Sequence, residues 1–328
     1  MNKKLFLKDF LGLMLVMLLF LSACKPAVAT PSVPPTKEAT ATSIPPSPIP
    51  PTEPPSPTPV PPTEVPSPTP MPSPTETPGL PPLPPDAQAI EFQSEDGQTL
   101  EGTYYPAAIN PAPMVVLMHW AGGDQYDWVE IAYWLQNRGL GGDTPNPENV
   151  PWLDSSWFPP MLEGQSFAVF AFTFRGCEGG CSSFKPAQWL LDARAAISKA
   201  AGLEGVDATK VVAIGASIGA DGAPDGCSLV NKQNENACQG ALSLSPGNYL
   251  TLSYPEVIKA LDDAGKPVWC FYADEDKTSA AACKAASGKQ YRVAEYAGRD
   301  HGMTLIRPGL EHETLLLILD FLKLVFGL

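Results

Sequence analysis

The residues best suited to chemistry form the stretch Gly-Ala-Ser-Ile-Gly at positions 215–219. It directly follows a short apolar run, 211–214, which is typical of a strand buried on both faces of a parallel sheet. A G-x-S-x-G pattern places its serine on a sharp strand-to-helix turn, where the hydroxyl stands clear of the backbone. The N–H groups and dipole of the following helix favour negative charge nearby. Ser217 is therefore the candidate nucleophile, although the same residue types also occur in ordinary turns.

A serine hydroxyl is a weak nucleophile that needs a base, and the base needs an acid to orient it. The chain contains three histidines. His301 lies in a glycine-flanked loop after the last expected strand and is the candidate base, with a purely structural loop histidine as the alternative. His119 follows the end of a strand, where we expect it to position its neighbours through a hydrogen bond. His312 lies in an expected terminal helix, 310–326, where a surface or capping role is the default.

The candidate acids follow the expected strand 268–272. Asp274 and Asp276 both stand just beyond its end. In an extended chain they face the same way, so the alternation of side chains does not separate them. The chain order is therefore Ser217, then one of these two aspartates, then His301.

The elements that must position these residues alternate between strands and helices. Short β-type runs predict strands at 89–92, 99–105, 114–118, 167–172, 211–214, 241–244, 268–272 and 292–296. Helical patterns follow Asp124 and span 187–201 and 310–326, whereas 139–165 is irregular and carries Trp152, Trp157 and Phe158. We expect that segment either to cover the site or to form an aromatic patch at the sheet edge. The alternation predicts a mostly parallel sheet with helices on both faces.

With serine, aspartate and histidine in this order, each just after a strand, the chain resembles the α/β-hydrolase family over most of residues 90–328. The stretch His-Trp-Ala-Gly-Gly at 119–123 looks like the family's His-Gly-x-x-Gly loop, and 175–179 looks like its Arg-Gly-x-Gly loop. The nearest resemblance is to dienelactone-hydrolase-like and small esterase branches, which lack a large cap domain. The resemblance implies an eight-stranded, largely parallel sheet with the catalytic residues on loops at its carboxyl edge.

The resemblance also assigns roles. It selects Asp276 over Asp274, because the family's acid follows a small strand-end residue, here Ala273, by three positions. It implies that the backbone N–H groups of Ile218 and Ala121, with Trp120 as a substitute, hold the oxyanion of an ester substrate. A peptidase or amidase on the same fold, and a binding module without activity, are the alternatives.

Three departures from the family pattern bear on the site. Trp120 stands where the family has glycine and crowds the oxyanion loop. Serine as the nucleophile argues against a dienelactone substrate. Pro224 and the polar residues of 221–239 predict a shortened helix behind the nucleophile. No dinucleotide-binding or P-loop motif is present, and we expect neither a cofactor nor a metal ion.

The first 85 residues predict export rather than a fold. Residues 1–24 combine an early basic stretch with the apolar run 11–21 and small residues before Cys24, which describes a secretory signal. The ending resembles the lipobox of bacterial lipoproteins, which implies lipid on Cys24 and a place at the outer face of the cell membrane, or in the periplasm or outer membrane. A plain signal peptide with an incidental cysteine, or an uncleaved apolar anchor, is the alternative. Residues 25–85 are rich in Pro, Thr and Ser and predict a disordered linker, with a PxxP docking ligand as the alternative. The hydrolase-like domain is expected at 86–328.

Charge and cysteine content complete the expectations. The formal net charge of −14 argues against a nucleic-acid partner, and no pattern assigns an oligomeric state. Seven cysteines leave six once Cys24 is set aside, and an exported domain permits disulfides among them. The simplest pairing is local, with free buried thiols as the alternative: Cys177 with Cys181, Cys227 with Cys238, and Cys270 with Cys283.

Overall fold

A computed structural model of the protein describes residues 83–138 and 150–328. The expected signal peptide with Cys24, nearly all of the expected linker 25–85, and part of the irregular segment 139–165 lie outside the described residues. Within the described residues, no helix combines the length and the apolar character that crossing a bilayer requires.

Within the described residues, eight strands form one sheet in the order β1-β2-β4-β3-β5-β6-β7-β8. The strands β1 and β2 pair antiparallel, as do β2 and β4, and all other pairs are parallel. Every expected strand occurs, and β5 starts five residues before the apolar run that predicted it. The strands are β1 (Gln88–Gln93), β2 (Thr99–Tyr105), β3 (Ala112–Met118), β4 (Ala168–Phe172), β5 (Val206–Ala216), β6 (Ala241–Leu244), β7 (Val268–Ala273) and β8 (Tyr291–Tyr296).

Helices cover both faces of the sheet. Buried residues of α2, α3, α4 and α5 pack in the core on one face, and those of α1 and α6 pack in the core on the other. Between β6 and β7 the chain forms only a loop and α4, so there is no large cap between these two strands. The α-helices are α1 (Val129–Leu135), α2 (Pro186–Ala201), α3 (Ile218–Asn231), α4 (Tyr254–Asp263), α5 (Lys277–Ala285) and α6 (Thr314–Phe326); short 3₁₀ helices span Gln125–Trp128, Pro151–Leu153, Ser155–Trp157 and Gly302–Ile306.

The central strands of the sheet are buried on both faces. In β3, Met114 and Val116 enter one core while Val115 and Leu117 enter the other, and all four are fully buried. A strand covered on both faces must be apolar throughout, which is why its sequence is a continuous run rather than an alternation. Burying each such side chain contributes roughly 1.5–3 kcal/mol. The loops at the carboxyl ends of these strands therefore start from fixed points.

Helix α3 corrects the expectation of a shortened helix behind the serine. It runs for 14 residues, Ile218–Asn231, straight through Pro224. Proline lacks an N–H, so the carbonyl of Ala220, four residues earlier, loses its usual helical partner. The Ser243 hydroxyl of β6 donates to that carbonyl oxygen at 2.6 Å. This substitute hydrogen bond, together with burial of nearly the whole helix, explains why the proline is tolerated.

The terminal helix begins later than its apolar pattern indicated, and the placement of His312 on it was wrong. Pro308 and Gly309 form a turn, and α6 starts only at Thr314. Thr314 takes part in hydrogen bonds with the Leu305 carbonyl and the Tyr296 hydroxyl, which fixes the helix start inside the fold. His312 therefore lies in the bend before α6.

The six cysteines of the domain form three local disulfides. Cys177 bonds to Cys181, Cys227 to Cys238, and Cys270 to Cys283. These are the pairs expected from the sequence. The second ties α3 to the segment before β6, and the third ties β7 to α5.

Candidate active site

Ser217 occupies a sharp turn between β5 and α3. Its backbone is left-handed, with φ 53° and ψ −113°, a conformation that costs energy in a residue other than glycine. Its N–H donates to the Leu244 carbonyl of the neighbouring strand at 2.8 Å. A Cβ on Gly215 would overlap the Gly219 carbonyl, and a Cβ on Gly219 would overlap the Met118 carbonyl. The glycine spacing of the motif thus has a steric cause. A side chain at either glycine would push the neighbouring backbone away, and the sharp turn could not form.

A chain of hydrogen bonds links this serine to a histidine and an aspartate. The Oγ of Ser217 lies 2.8 Å from Nε2 of His301, and Nδ1 of His301 lies 2.6 Å from Oδ2 of Asp276. A carboxylate accepts from Nδ1–H, which leaves Nε2 free to accept the serine proton. The three side chains therefore have the geometry that a nucleophile, a base and an orienting acid require.

The structure brings Asp276, and not Asp274, to the histidine. Asp276 caps the start of α5, where its Oδ1 accepts from the Ser279 N–H at 3.3 Å. Burial by itself raises the pKa of Asp276, but hydrogen bonds from Ser279 and His301 outweigh burial and hold that pKa below its ordinary value. Asp274 is exposed and accepts from the Gly298 N–H at 2.8 Å, so it shapes the turn beside the site.

His119 positions the loop that follows β3. It is fully buried; Nδ1 donates to the Trp120 carbonyl at 2.6 Å, and Nε2 accepts from the Phe174 N–H at 2.9 Å. Burial lowers the pKa of His119 to about 4, so the ring is neutral at pH 7. Because a trans peptide is planar, holding the Trp120 carbonyl directs the Ala121 N–H to the opposite side.

Three backbone N–H groups are free to bind an oxyanion. Within the described residues, the N–H groups of Trp120, Ala121 and Ile218 form no hydrogen bond to the protein. Ile218 opens α3, where the first N–H groups lack helical partners and carry the positive end of the dipole. Ala121 has its N–H directed by His119. These three N–H groups are the ones that the sequence predicted as oxyanion donors, and that role stays a prediction.

Trp120 forms a wall beside the serine. Its Nε1 donates to Oδ2 of Asp127 at 2.8 Å, and its ring meets that of Trp152 edge to face at 5.5 Å. A Cβ placed on Gly302 would lie 3.3 Å from Cε3 of Trp120 and 3.6 Å from Cβ of Ser217. The indole therefore crowds the site. Its hydrogen-bond partner Asp127 is itself buried, and this burial raises the pKa of Asp127 to about 6.

The aromatic residues of the irregular segment divide between two places. Trp152 packs on Trp120 at the site, consistent with a covering role. Trp157 and Phe158 instead form a cluster with Trp134 of α1, at ring distances of 5.0 Å between the first two and 6.0 Å from Phe158 to Trp134. Trp157 and Phe158 thus pack in or against the apolar core on the α1 side of the sheet. A covering role for the segment stays a prediction.

Sequence reasoning missed a second acid and a tyrosine at the site. The carboxylate of Asp221 accepts from the N–H groups of residues 247–249, at 2.7–3.3 Å. This holds Tyr249 with its ring 6.2 Å from that of His301, at 80°. Burial raises the pKa of Asp221 to about 6 and that of Tyr249 to about 12. The available signal was a lone acid in the first turn after the serine.

Comparisons with known proteins identify the fold. No family model matches this sequence, and no curated protein is significantly similar to it. The esterase Pf2001 of Pyrococcus furiosus has a similar structure, with a TM-score of 0.50 and 14% identity over 74% of this chain and 94% of its own. The α/β hydrolase GrgF of Penicillium sp. sh18 has a TM-score of 0.51 and 12% identity, over 74% of this chain and 100% of its own. The 2,6-dihydroxy-pseudo-oxynicotine hydrolase has a TM-score of 0.50 and 12% identity, over 74% of this chain and 69% of its own. The described domain therefore has the α/β-hydrolase fold, which confirms the predicted fold class.

Proposed function

We propose that the protein is a serine hydrolase that cleaves carboxylic esters of small molecules by acyl transfer. The observation that carries the proposal is the hydrogen-bonded series Ser217, His301 and Asp276 on three loops at one edge of the sheet. The names of similar structures, an esterase and two hydrolases, agree with it.

In the first step, Oγ of Ser217 attacks the ester carbonyl and its proton passes to Nε2 of His301. Asp276 accepts from Nδ1–H and stabilises the imidazolium. The carbonyl oxygen gains the negative charge and accepts from the N–H groups of Ala121 and Ile218. One such donor contributes about 10²–10³ in rate.

The second step releases the products. The imidazolium of His301 gives its proton to the leaving oxygen, the alcohol departs, and the acyl group remains on Ser217. Water then attacks the acyl carbonyl and loses its proton to His301, which returns that proton to the serine as the carboxylic acid leaves. Together, the alcohol and the carboxylic acid contain every atom of the ester and the water.

Ester hydrolysis is tested with p-nitrophenyl esters of increasing chain length. Ser217→Ala should lower kcat by roughly 10⁴–10⁶ without unfolding the protein. Ser228→Ala, a buried serine on the same helix, is the matched control and should leave kcat unchanged. A fluorophosphonate should label Ser217 in the wild type.

The other functions give different results in the same experiment. A peptidase or amidase would take the fluorophosphonate but prefer amide substrates to esters of the same acyl group. A binding module would fold normally and remain unlabelled. If Ser217→Ala kept most of the wild-type rate, the assignment of the nucleophile would be wrong.

We also propose that lipid on Cys24 tethers this hydrolase to the outer face of the cell membrane. The pattern of residues 1–24 supports this location. Three disulfides in one domain agree with an oxidising compartment.

A further inference from the structure

A loop closed by a disulfide forms hydrogen bonds with the oxyanion loop (residues 119–123) from outside the active site. This cysteine loop, residues 177–181, donates its Cys181 N–H to the Ala121 carbonyl at 2.8 Å. Its Gly179 N–H donates to Oδ2 of Asp124 at 2.8 Å. Two hydrogen bonds therefore join the cysteine loop to the segment that carries the candidate oxyanion donors.

The two loops are packed closely enough to leave little slack between them. A Cβ on Gly180 would lie 3.5 Å from the Gly122 carbonyl oxygen and 3.8 Å from that of Ala121. The start of the cysteine loop is itself anchored, because Arg175 forms hydrogen bonds with the buried carboxylate of Asp192 at 2.6–3.1 Å. The cysteine loop is thus anchored at its start by Arg175 and closed by the disulfide.

These contacts fix the orientation of one particular peptide. The Trp120 carbonyl, in the same peptide unit as the Ala121 N–H, is held by Nδ1 of His119. The Ala121 carbonyl, in the next peptide unit, is held by Cys181. With both planar units around Ala121 restrained, the direction of its N–H is set by the surrounding protein. Electrostatic stabilisation of a transition state depends on such preorganised donors.

We propose that the Cys177–Cys181 disulfide is a positioning element for the oxyanion hole, a role that rests on the proposed ester hydrolysis. Without the disulfide, the cysteine loop relaxes and the Ala121 peptide can rotate. The oxyanion contact is made in the transition state, so the loss should fall on kcat and leave KM nearly unchanged. We expect a decrease in kcat of about 10- to 100-fold, part of the effect of losing one donor.

This disulfide is also the one that a reductant should reach first. Cys181 is partly exposed, whereas the other five cysteines in the three pairs are fully buried. A small dithiol attacks through its thiolate, gives two electrons to the S–S bond and closes into its own disulfide, leaving two cysteine thiols. Mild dithiothreitol should therefore lower activity in step with alkylation of Cys177 and Cys181.

The test compares two double variants of the full-length protein. Cys177→Ser with Cys181→Ser removes the proposed positioning element, and Cys227→Ser with Cys238→Ser removes a disulfide behind α3 as the matched control. The readouts are kcat and KM for p-nitrophenyl acetate, the thermal unfolding midpoint, and amide hydrogen exchange of residues 114–124. The first variant should lose kcat and exchange faster in 114–124, and the control should do neither.

Hydrogen exchange separates this inference from the proposed function. If the wild type cleaves no ester, the hydrolase proposal fails, yet faster exchange of 114–124 confined to the first variant still supports the positioning role. Unchanged exchange in that variant would overturn the inference, as would an equal loss of kcat in both variants. Should the first variant fail to fold, graded reduction of the wild type with alkylation mapping provides the same comparison.

Discussion

Replacing Asp276 by asparagine is the sharpest test of the site, because it removes one negative charge and turns one acceptor into a donor with almost no change of shape. Asp276 now accepts from Nδ1–H of His301 at 2.6 Å. An asparagine amide at that place donates instead, which forces the proton onto Nε2 of the histidine. Nε2 could then no longer accept the proton of Ser217, so the base would be lost while the side chains stay in place.

The expected loss in kcat is on the order of 10⁴-fold, or about 5 kcal/mol of barrier. The fold should survive, because asparagine is as good a helix N-cap as aspartate and can keep the contact with the Ser279 N–H. Asp274→Asn is the matched control, since an amide oxygen can still accept from the Gly298 N–H. That variant should change kcat by less than about tenfold.

The assay is the hydrolysis of p-nitrophenyl acetate, with thermal unfolding measured on the same samples. A large loss in Asp274→Asn and a small one in Asp276→Asn would refute the assignment of the acid. Equal and small losses in both would show that the base does not depend on an orienting carboxylate.

Three further predictions follow from the same site and from the N-terminus. Trp120→Ala should shift the preferred p-nitrophenyl ester to longer acyl chains, because it removes the indole beside the serine, and Trp157→Ala should leave the preference unchanged. Cys24→Ala should release the protein from membranes into the soluble fraction; unchanged membrane association would point to an uncleaved apolar anchor. Peptide mapping without reduction should recover three local disulfides, whereas alkylation of all six thiols in denatured, unreduced protein would exclude them: Cys177–Cys181, Cys227–Cys238 and Cys270–Cys283.

The residues that the sequence predicted are those whose placement depends on local structure. Ser217 lies in a motif that forces its own turn, and Asp276 and His301 lie in the short segments after β7 and β8. Parallel strands carry their ends to one edge of a sheet, so three strand-end residues could be expected to meet. The choice of Asp276 over Asp274 still required the family resemblance, because alternation treats both alike.

The residues that the sequence did not reveal depend on distant contacts. Asp221 and Tyr249 meet across 28 positions, through a loop whose path is set by packing rather than by its own pattern. Helix α3 shows the same effect, since Pro224 breaks a helix by intrinsic preference. The hydroxyl of Ser243, on β6, replaces the hydrogen bond that the proline removes. The sequence of residues 218–231 alone does not predict this contact.

The same helix carries a buried acid that should make stability depend on pH. Asp225 lies one turn after Asp221, is 1% exposed, and neither of its carboxyl oxygens has a hydrogen-bond partner within the described residues. Burial, with a smaller contribution from the charge of Asp221, raises the pKa of Asp225 to about 8 from 3.8. The folded state therefore holds a proton that the unfolded chain releases above about pH 4. The free energy of unfolding should fall as pH rises between these two values, by up to about 1.4 kcal/mol per unit.

Asp225→Asn should remove this contribution, because an amide stays neutral at every pH in that range. At pH 8 the variant should be more stable than the wild type by a few kcal/mol, on the order of the linked proton's free energy. At pH 4 both proteins carry a neutral side chain, and any difference there measures the cost of the amide itself. The measurement is the free energy of unfolding by denaturant at five pH values. Asp320→Asn, at an exposed acid on α6, is the control. Asp221, whose pKa is raised to about 6, should leave a residual slope below that pH. An unchanged slope between pH 6 and 8 would mean that Asp225 is ionised in the folded protein and has found a partner.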